Sequence, residues 1–364
     1  MSSLEKYVDA SILKSNSYQP GKPIEVTARE LGIDPDSIIK IASNECPLGP
    51  SPRALKAMRK YMKEMQLYPD GGGYVLKNKL SEKFKLPQDH FILGCGSNEI
   101  LEFISLALLK PGTSAVMSQY SFAIYKILTL LHGAEVIEAP ADGLGHDLKA
   151  ILKAITPKTR VVYICNPNNP TGTMVKNRAI DTFMRKVPDD VLVVFDEAYI
   201  DICPAKAPDT LKYVKEGRNV IILKTFSKAY GLAGLRVGYG IAKPEILSIF
   251  EKIRQPFNVS RMAQLVASEA IDDVGFVRKT KKLYKEGAAN IAEFCEKRKI
   301  TYEPTFANFM LIKVGDGAEV FKKLEKKGII VRPMSGYGLK EWIRVSIGTA
   351  DEVQRFINEL GKII

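Results

Sequence analysis

Apolar runs long enough for single β-strands alternate along this chain with longer segments of helical periodicity, and this alternation restricts the fold more than any other feature. The runs lie at residues 90–93, 114–118, 134–138, 161–165, 191–195 and 220–223. Helical patterns follow the first two runs, at 98–109 and up to residue 131. Alternation of this kind is typical of a mostly parallel sheet with helices on both faces. The sequence therefore predicts an α/β fold.

The pattern changes after Pro256, which predicts a second domain. A long helical stretch runs to Cys295 and is followed by short strands in FMLIKV, IIVRPM and WIRVSIGT. A chain of this length commonly divides into about two domains. We assign residues 46–255 to a large domain and 256–364 to a smaller α+β domain led by a long interdomain helix. Residues 1–45 are predicted to form an N-terminal arm that packs on the smaller domain.

The composition argues against several classes of protein. The five cysteines include no CxxC pair, and the three histidines lack the spacing of shared metal ligands, so no disulfide framework or metal site is suggested. No apolar stretch approaches the roughly 20 residues of a membrane-spanning helix, and MSSLEKYVDASILKSN lacks an apolar signal core. We expect a cytoplasmic protein that binds neither metal nor membrane.

The net charge of +12 suggests an anionic partner, either nucleic acid or small molecules. The lysines in KAMRKYMKEM, RKTKKLYKEG and FKKLEKKG alternate with glutamates at helical spacing. That pattern is typical of solvated helix faces rather than of a nucleic-acid surface. The sequence therefore favours small anionic ligands.

Polar groups follow three of the predicted strands. After the first, GCGSNE leads straight into a helix whose free N–H groups can bind an anion, although Ser97 or Asn98 could equally be an ordinary cap. After VVYIC, the prolines and glycine of NPNNPTG fix a loop that presents Asn169. After VLVVF come Asp196 and Tyr199. A buried carboxylate there needs a partner, which could be an arginine or a protonated heterocyclic nitrogen.

A lysine follows the next strand. Lys228 comes after NVIILKTF and lies in the small-residue turn SKAYGLAGLRVGY. Ligands of open α/β sheets bind at the carboxyl ends of the strands, and a partly desolvated lysine there can act as a nucleophile or base. Considered alone, such a lysine is more often a solvated strand end, so its neighbours decide its role.

Together, these groups match the functional groups of pyridoxal 5′-phosphate. An anion site matches the phosphate, a carboxylate the pyridine nitrogen, an amide and a phenol the ring hydroxyl, and an amine the aldehyde. The residues that match the phosphate are the helix N-terminus at Ser97 and Asn98 together with Thr225, Ser227 and Arg236. Asp196 matches the pyridine nitrogen, Asn169 and Tyr199 match the ring hydroxyl, and Lys228 matches the aldehyde.

The segments CNPNNPTG, FDEAY and TFSKAYGLAGLRVGY occur in the order found in the fold-type I pyridoxal-phosphate aminotransferases, which the chain resembles. The resemblance implies a large domain with a mostly parallel seven-stranded sheet between helices. It also implies three catalytic residues: Lys228 forms a Schiff base with the cofactor, Asp196 keeps the pyridine nitrogen protonated, and Tyr199 binds the ring hydroxyl together with Asn169.

Further segments resemble one branch of that family, the histidinol-phosphate aminotransferases. They are YQPGKPIE, IASNECPLGPSP, LYPDGGGY, GCGSNE, SQYSFAIY, IIVRPMSGYGL and WIRVSIGT, and they span nearly the whole chain. In that branch the tyrosine that matches Tyr68 reaches the cofactor phosphate of the neighbouring subunit. The resemblance therefore implies a homodimer in which Tyr68 completes the partner's site.

The same resemblance assigns the substrate contacts. Arg344 matches the arginine that clamps an α-carboxylate, whereas Arg332 and Tyr18 match residues that contact a substrate phosphate or distal carboxylate. Asn44 lies in a segment that borders the substrate in relatives. Cys46, in the same segment, stands where the family usually has asparagine.

Two aromatic residues of SQYSFAIY are assigned to the site as well. We expect Phe122 to stack on the cofactor ring, since stacking requires a flat ring but no hydroxyl. Tyr125 is expected to face the substrate.

The implied activity is transamination of histidinol phosphate with 2-oxoglutarate in histidine biosynthesis. Two similar enzymes share the cofactor residues and stay open as alternatives: an aromatic amino acid aminotransferase and a threonine-phosphate decarboxylase. A non-catalytic anion-binding protein is a third alternative, against which the intact lysine, aspartate and arginine argue.

Overall fold

The computed structural model describes residues 4–8, 10–14 and 21–364. The α-helices are α1 (Ala10–Lys14), α2 (Ile24–Leu31), α3 (Pro52–Tyr61), α4 (Tyr74–Phe84), α5 (Ser97–Leu108), α6 (Ala123–Leu131), α7 (Leu148–Ala154), α8 (Asn177–Met184), α9 (Leu211–Lys215), α10 (Pro244–Glu251), α11 (Arg261–Ala270), α12 (Val274–Arg298), α13 (Gly317–Glu325) and α14 (Ala350–Ile363). The strands are β1 (Ile39–Lys40), β2 (Phe91–Gly94), β3 (Ser114–Ser118), β4 (Glu135–Ala139), β5 (Thr159–Cys165), β6 (Leu192–Asp196), β7 (Val220–Thr225), β8 (Gly238–Ala242), β9 (Tyr302–Glu303), β10 (Phe309–Lys313), β11 (Ile329–Ile330), β12 (Arg332–Pro333) and β13 (Trp342–Ser346).

A seven-stranded sheet in the order β2-β8-β7-β6-β5-β3-β4 forms the centre of the molecule. Strand β8 runs antiparallel to both of its neighbours, whereas the other neighbouring strands are parallel. The predicted α/β fold with a mostly parallel seven-stranded sheet is confirmed. The predicted strand runs in this sheet agree with β2 to β7 to within a residue or two at each end.

Both faces of this sheet are covered, which explains the nearly continuous apolar strands. In β6, Val193 and Phe195 pack in the core on one face, with residues of α4, α7, α8 and α11. Leu192 and Val194 pack on the other face, with residues of α5, α6 and α10. Successive side chains of a strand point to opposite faces, so Asp196 points to the same face as Val194.

Strand β8 is an element that the sequence analysis missed. Its sequence, GYGIA, has two glycines where β-branched residues would identify a strand. A Cβ atom at Gly238 would lie 2.5 Å from the backbone nitrogen of Ser97, so a larger residue would clash with the start of α5. The glycines therefore allow the strand to pass directly beneath that helix.

The carboxyl-terminal part forms a second, four-stranded antiparallel sheet in the order β12-β13-β10-β9. The single long helix predicted from Pro256 to Cys295 is instead two helices, α11 and α12. They separate because the Asp273 carboxylate accepts a hydrogen bond from the backbone N–H of Phe276 and so starts α12 as a new helix.

The predicted N-terminal arm contacts a helix that packs on the large sheet and a strand in the carboxyl-terminal part. Helix α1 lies near α6 of the large sheet, where the Ser11 hydroxyl donates a hydrogen bond to the Leu131 carbonyl at 3.3 Å. Strand β1 pairs in parallel with β11 in the carboxyl-terminal part. The domain boundaries at 45/46 and 255/256 stay predictions, and Tyr18 lies outside the described residues.

No helix in the described ranges is long and apolar enough to cross a lipid bilayer. Across those same residues, no cluster of three or more His, Cys, Asp or Glu side chains could hold a metal ion.

A buried ion cluster joins β6 and β7 near their carboxyl ends. The Lys224 ammonium lies 3.4 Å from a Glu197 oxygen and 3.2 Å from an Asp201 oxygen. Burial lowers the pKa of Lys224, but the charges of Asp201 and Glu197 outweigh it and leave the pKa raised. Glu197 also accepts a hydrogen bond from the Thr210 hydroxyl.

We predict that Lys224→Met destabilises the fold by about 3 kcal/mol, because it leaves buried Glu197 without its cation. The measurement is urea unfolding of the cofactor-free protein. Lys126→Met is the matched control, since the Lys126–Glu138 ion pair is exposed and such pairs contribute at most about 1 kcal/mol. Equal losses in the two variants would contradict the assignment.

Candidate active site

A cavity of about 600 Å³ lies at the edge of the sheet where the parallel strands end. Strands β2, β3, β5, β6 and β7 all terminate at this edge, as expected for a ligand site in an open α/β sheet. The lining includes most of the residues proposed from the sequence: Asn44, Ser97, Asn98, Phe122, Asn169, Asp196, Tyr199, Thr225, Ser227, Lys228, Arg236, Arg332 and Arg344.

One wall of the cavity is the N-terminus of α5. The residue before the helix, Gly96, has a φ of 74° and provides no side-chain cap. Asn98 does not cap the helix either, since its amide donates to Glu102 at 3.1 Å. The ordinary-cap alternative is therefore wrong for this segment. The first N–H groups of α5 have no side-chain cap, which is the arrangement that binds a phosphate.

Three polar side chains surround that helix end. The Thr225 hydroxyl donates to Ser227 Oγ at 3.0 Å and accepts from the Ser227 backbone N–H at 3.1 Å. Arg236 has a φ of 51°, and its Nη1 donates to the Ala233 carbonyl at 3.2 Å. A Cβ atom at Gly96 would lie 2.6 Å from Arg236 Nη2, so the guanidinium packs directly against the start of the helix. These groups form a cationic, donor-rich cradle for a phosphate.

Asp196 ends β6 with a buried carboxylate that has two donors. Oδ2 accepts from the Tyr125 hydroxyl at 2.6 Å, and Oδ1 accepts from the Ala198 backbone N–H at 3.2 Å. Burial raises the pKa of Asp196, whereas the bonds from Tyr125 and Ala198 and the charge of Lys228 act in the opposite direction. A cationic ring nitrogen in the cavity would further stabilise the charged carboxylate.

The position of Tyr125 differs from the sequence-based expectation. Its side chain is fully buried and is absent from the cavity lining, so it does not face a substrate there. It lies behind Asp196, because α6 covers the face of the sheet to which Asp196 points.

Lys228 lines the same cavity as Asp196, in a setting that makes its ammonium group easier to deprotonate. Its Nζ is 3.5 Å from the Ser43 carbonyl oxygen and 5.7 Å from the centre of the Tyr199 ring. Burial, and next the positive charge of Arg344, lower the pKa of Lys228 to about 8. An amine in this state can act as a nucleophile or base near neutral pH.

Tyr199 is held by a network that joins distant parts of the chain. The Asn44 amide donates to the Tyr199 hydroxyl at 3.1 Å. Asn44 itself has a φ of 55° and is fixed by the Ser346 hydroxyl, which donates to its Oδ1 at 2.8 Å, and by the Asn308 amide, which donates to its carbonyl at 3.0 Å. Burial raises the pKa of the Tyr199 phenol, so it stays protonated and can donate into the cavity.

Arg344 and Asn169 form a second polar pair. Arg344 Nη1 donates to Asn169 Oδ1 at 2.6 Å, and Nη2 donates to the Ala42 carbonyl at 2.8 Å. Because Asn169 Oδ1 accepts from Arg344, the amide NH₂ of Asn169 is the group that can donate to a ligand.

Tyr68 does not line the cavity of its own chain. Its side chain is 79% exposed and stacks on Phe257 at 5.0 Å between ring centres.

Several residues that line the cavity were not predicted from the sequence, and among them are Ser43, Glu45 and Tyr337. Ser43 contributes a backbone carbonyl, which no side-chain motif reveals. Glu45 is adjacent to the predicted Asn44, and its charge raises the pKa of Lys228. Tyr337, in the loop between β12 and β13, could have been found only as a neighbour of Arg332.

The cavity fits pyridoxal 5′-phosphate by its donor set. The α5 cradle provides N–H groups, hydroxyls and a guanidinium for a phosphate, and Asp196 provides a buried acceptor for a protonated nitrogen. Tyr199 and Asn169 provide donors for a phenolic oxygen, and Lys228 provides an amine for an aldehyde. Each group of the cofactor has a complementary partner among the residues present.

Comparison with known proteins gives a consistent result. The family model described as aminotransferase class I and II matches residues 36–360. A histidinol-phosphate aminotransferase of Akkermansia muciniphila is 47% identical over 363 residues, which is 100% of both chains. The enzyme of the same name from Methylobacillus flagellatus is 44% identical over 100% of this chain and 99% of its own.

Solved structures share the fold. A histidinol-phosphate aminotransferase of Sinorhizobium meliloti, solved with pyridoxal 5′-phosphate, has a TM-score of 0.87 and 25% identity over 98% of both chains. An aspartate aminotransferase mutant of Thermus thermophilus has the same TM-score of 0.87 at 18% identity, over 98% of this chain and 99% of its own. The second similarity shows the fold alone.

We predict that Lys228 in the cofactor-free protein becomes reactive with a midpoint near pH 8, because its pKa is lowered to about 8. The measurement is competitive acetylation followed by mass spectrometry across a pH series. Arg344→Met should move the midpoint upward, since the Arg344 charge lowers the pKa of Lys228. Lys79 is the control, because its hydrogen bond to Asp272 raises its pKa. A Lys228 midpoint equal to that of Lys79 would refute the prediction.

Proposed function

Because this chain belongs to the aminotransferase class I and II family, we propose that it is a pyridoxal-phosphate-dependent histidinol-phosphate transaminase of histidine biosynthesis. The reaction transfers the amino group of L-histidinol phosphate to 2-oxoglutarate and gives imidazole-acetol phosphate and L-glutamate. The observation that carries the proposal is full-length identity of 44–47% to relatives of that name, combined with a cavity that has a partner for every cofactor group.

Lys228 is the proton carrier of this proposal. When bound, pyridoxal phosphate supplies an aldehyde that accepts an amino group and a ring that delocalises negative charge from the neighbouring carbon. The Lys228 amine would take the proton from the α-carbon of the amino donor and deliver it to the aldehyde carbon (C4′) of the cofactor, since burial and the Arg344 charge keep part of the amine neutral. With the keto acceptor the proton would move in the opposite direction, from C4′ to the α-carbon. The same two steps serve both substrates, which accounts for a ping-pong reaction.

Asp196 and Tyr199 act on the two polar positions of the ring. The Asp196 carboxylate holds the ring nitrogen in its protonated form, which strengthens the attraction of the ring for electrons. The Tyr199 hydroxyl and the Asn169 amide donate to the ring oxygen, and Phe122 provides a flat apolar surface at the cavity wall.

Two arginines bind the anionic groups by which the two substrates differ. Arg344 binds the α-carboxylate of glutamate with its planar fork, and histidinol phosphate has no such group. Arg332 lines the same cavity and binds the substrate phosphate or the distal carboxylate of glutamate. A cavity with both arginines accepts one anionic group from histidinol phosphate and two from glutamate. Tyr18 is proposed to assist Arg332 on the basis of the resemblance alone.

We also propose a homodimer. Large apolar side chains are exposed together around Tyr68, and such patches mark interfaces. They are Met65, Leu67, Tyr68 and Phe257. A second copy that covers this surface could bring Tyr68 to the phosphate cradle of its partner. The cytoplasm stays the proposed location on the sequence argument alone.

We predict that the holoenzyme forms glutamate when it is mixed with histidinol phosphate and 2-oxoglutarate, and that Lys228→Ala lowers kcat by at least about 10²-fold because the α-proton loses its carrier. Glutamate is measured with a coupled dehydrogenase. Lys206→Ala, which changes an exposed lysine outside the cavity, should keep full activity.

Two other outcomes would replace the proposal. Faster turnover of phenylalanine than of histidinol phosphate identifies an aromatic aminotransferase. Release of carbon dioxide from threonine phosphate identifies a decarboxylase.

A subunit-mixing experiment tests the shared site. Lys228→Ala and Tyr68→Ala chains, each of low activity, are unfolded together and refolded. Mixed dimers contain one site with both native residues, so activity should rise above that of either parent. Activity equal to the average of the parents would show that Tyr68 does not act across the interface.

A further inference from the structure

The carboxylate of Asp196 has a partner, Tyr125, to which the proposed function assigns no role. The Tyr125 hydroxyl donates to Asp196 Oδ2 at 2.6 Å, and both side chains are buried. The other oxygen, Oδ1, accepts the longer bond from the Ala198 N–H at 3.2 Å. Tyr125 is therefore the closer of the two donors that hold the carboxylate.

The surroundings of Tyr125 fix its ring. It stacks on Tyr163 with 4.5 Å between ring centres and 1° between planes. Phe122 packs against it edge to face at 5.6 Å. A phenol held on two sides by aromatic rings has little freedom to turn away, so its hydroxyl is directed at Asp196.

The direction of the hydrogen bond follows from the environment. Burial and the nearby Asp196 charge raise the pKa of the Tyr125 phenol far above its usual value, so it stays protonated and donates. Burial alone raises the pKa of Asp196, and the bond from Tyr125 is the largest effect that opposes it. Without this donor, the buried carboxylate loses its main support against protonation.

We propose that Tyr125 is a positioning residue for the reaction: its hydroxyl holds the Asp196 carboxylate in its charged form and in the orientation that faces the cavity. The effect on turnover rests on the proposed function, since it requires a ring nitrogen next to Asp196. The effect on the carboxylate itself does not depend on the substrate. The alternative is that Tyr125 only fills the core, in which case its ring matters and its hydroxyl does not.

Tyr125→Phe separates these two roles, because it keeps the ring and the stack on Tyr163 and removes only the hydroxyl. Tyr163→Phe is the matched control: it makes the same change in the other ring of the stack, and its hydroxyl makes no hydrogen bond to Asp196. Tyr163 is also absent from the cavity lining.

The first measurement uses the cofactor-free full-length protein and needs no substrate. Isotope-edited infrared spectroscopy follows the protonated carboxyl band of Asp196 against pH, and Asp196→Asn identifies the band. In Tyr125→Phe the band should persist to a pH about one unit higher, as expected for the loss of one hydrogen bond to a buried charge. Tyr163→Phe should titrate like the wild type.

The second measurement is the affinity of the cofactor-free protein for pyridoxal phosphate. Tyr125→Phe should weaken binding about tenfold, in line with one lost charge-assisted hydrogen bond. The same substitution in an Asp196→Asn background should have no further effect, because Tyr125 acts through Asp196. In the loaded enzyme, kcat should fall while the KM for the amino donor stays unchanged.

An unchanged titration and unchanged cofactor affinity in Tyr125→Phe would overturn the proposal. Equal shifts of the Asp196 titration in Tyr163→Phe would also overturn the proposal, because they would assign the effect to the stacked rings of Tyr125 and Tyr163. If Tyr125→Phe does not fold, 3-fluorotyrosine at position 125 replaces it: the more acidic phenol should move the Asp196 titration to lower pH, and no movement counts against the proposal. If Tyr125→Phe shifts the Asp196 titration as expected but the native holoenzyme does not turn over histidinol phosphate, the result counts against the proposed function and not against the role of Tyr125.

Discussion

The site depends on one geometric constraint: the parallel strands of the sheet all end at the same edge. Gly94, Ser118, Cys165, Asp196 and Thr225 are the last residues of five such strands. Apolar residues on both faces fix the register of these strands, so the loops that follow them begin at defined positions. The anion cradle, the carboxylate and the lysine are therefore brought together by the core rather than by contacts with each other.

The cationic side chains of the cavity suit an anionic ligand. Arg236 and Arg344 line the same cavity as Lys228, and both lower the pKa of that lysine. We propose that a bound phosphate offsets the charge of Arg236 and that a substrate carboxylate offsets that of Arg344. In this proposal the two guanidinium groups, which lower the pKa of Lys228, serve both the binding of anions and the proton transfer.

Much of the site could be predicted from the sequence, because short motifs at strand ends are local. Asp196 is the last residue of β6, Asn169 and Lys228 lie in the loops that follow β5 and β7, and all three line the cavity. Contacts between distant segments could not be predicted in this way. The bond from Asn44 to Tyr199 spans 155 residues, and that from Tyr125 to Asp196 spans 71. Tyr125 lies on a helix whose packing on that face of the sheet only the structure shows.

We propose that Lys228 is the residue that holds pyridoxal phosphate in this cavity. The most direct test is borohydride reduction of the cofactor-loaded protein, followed by proteolysis and mass spectrometry of every lysine-containing peptide. We expect one phosphopyridoxyl group per chain, on Lys228, and no such group when excess pyridoxamine phosphate occupies the site first. A label on another lysine, or an unlabelled Lys228 in a protein that retains the cofactor, would contradict it.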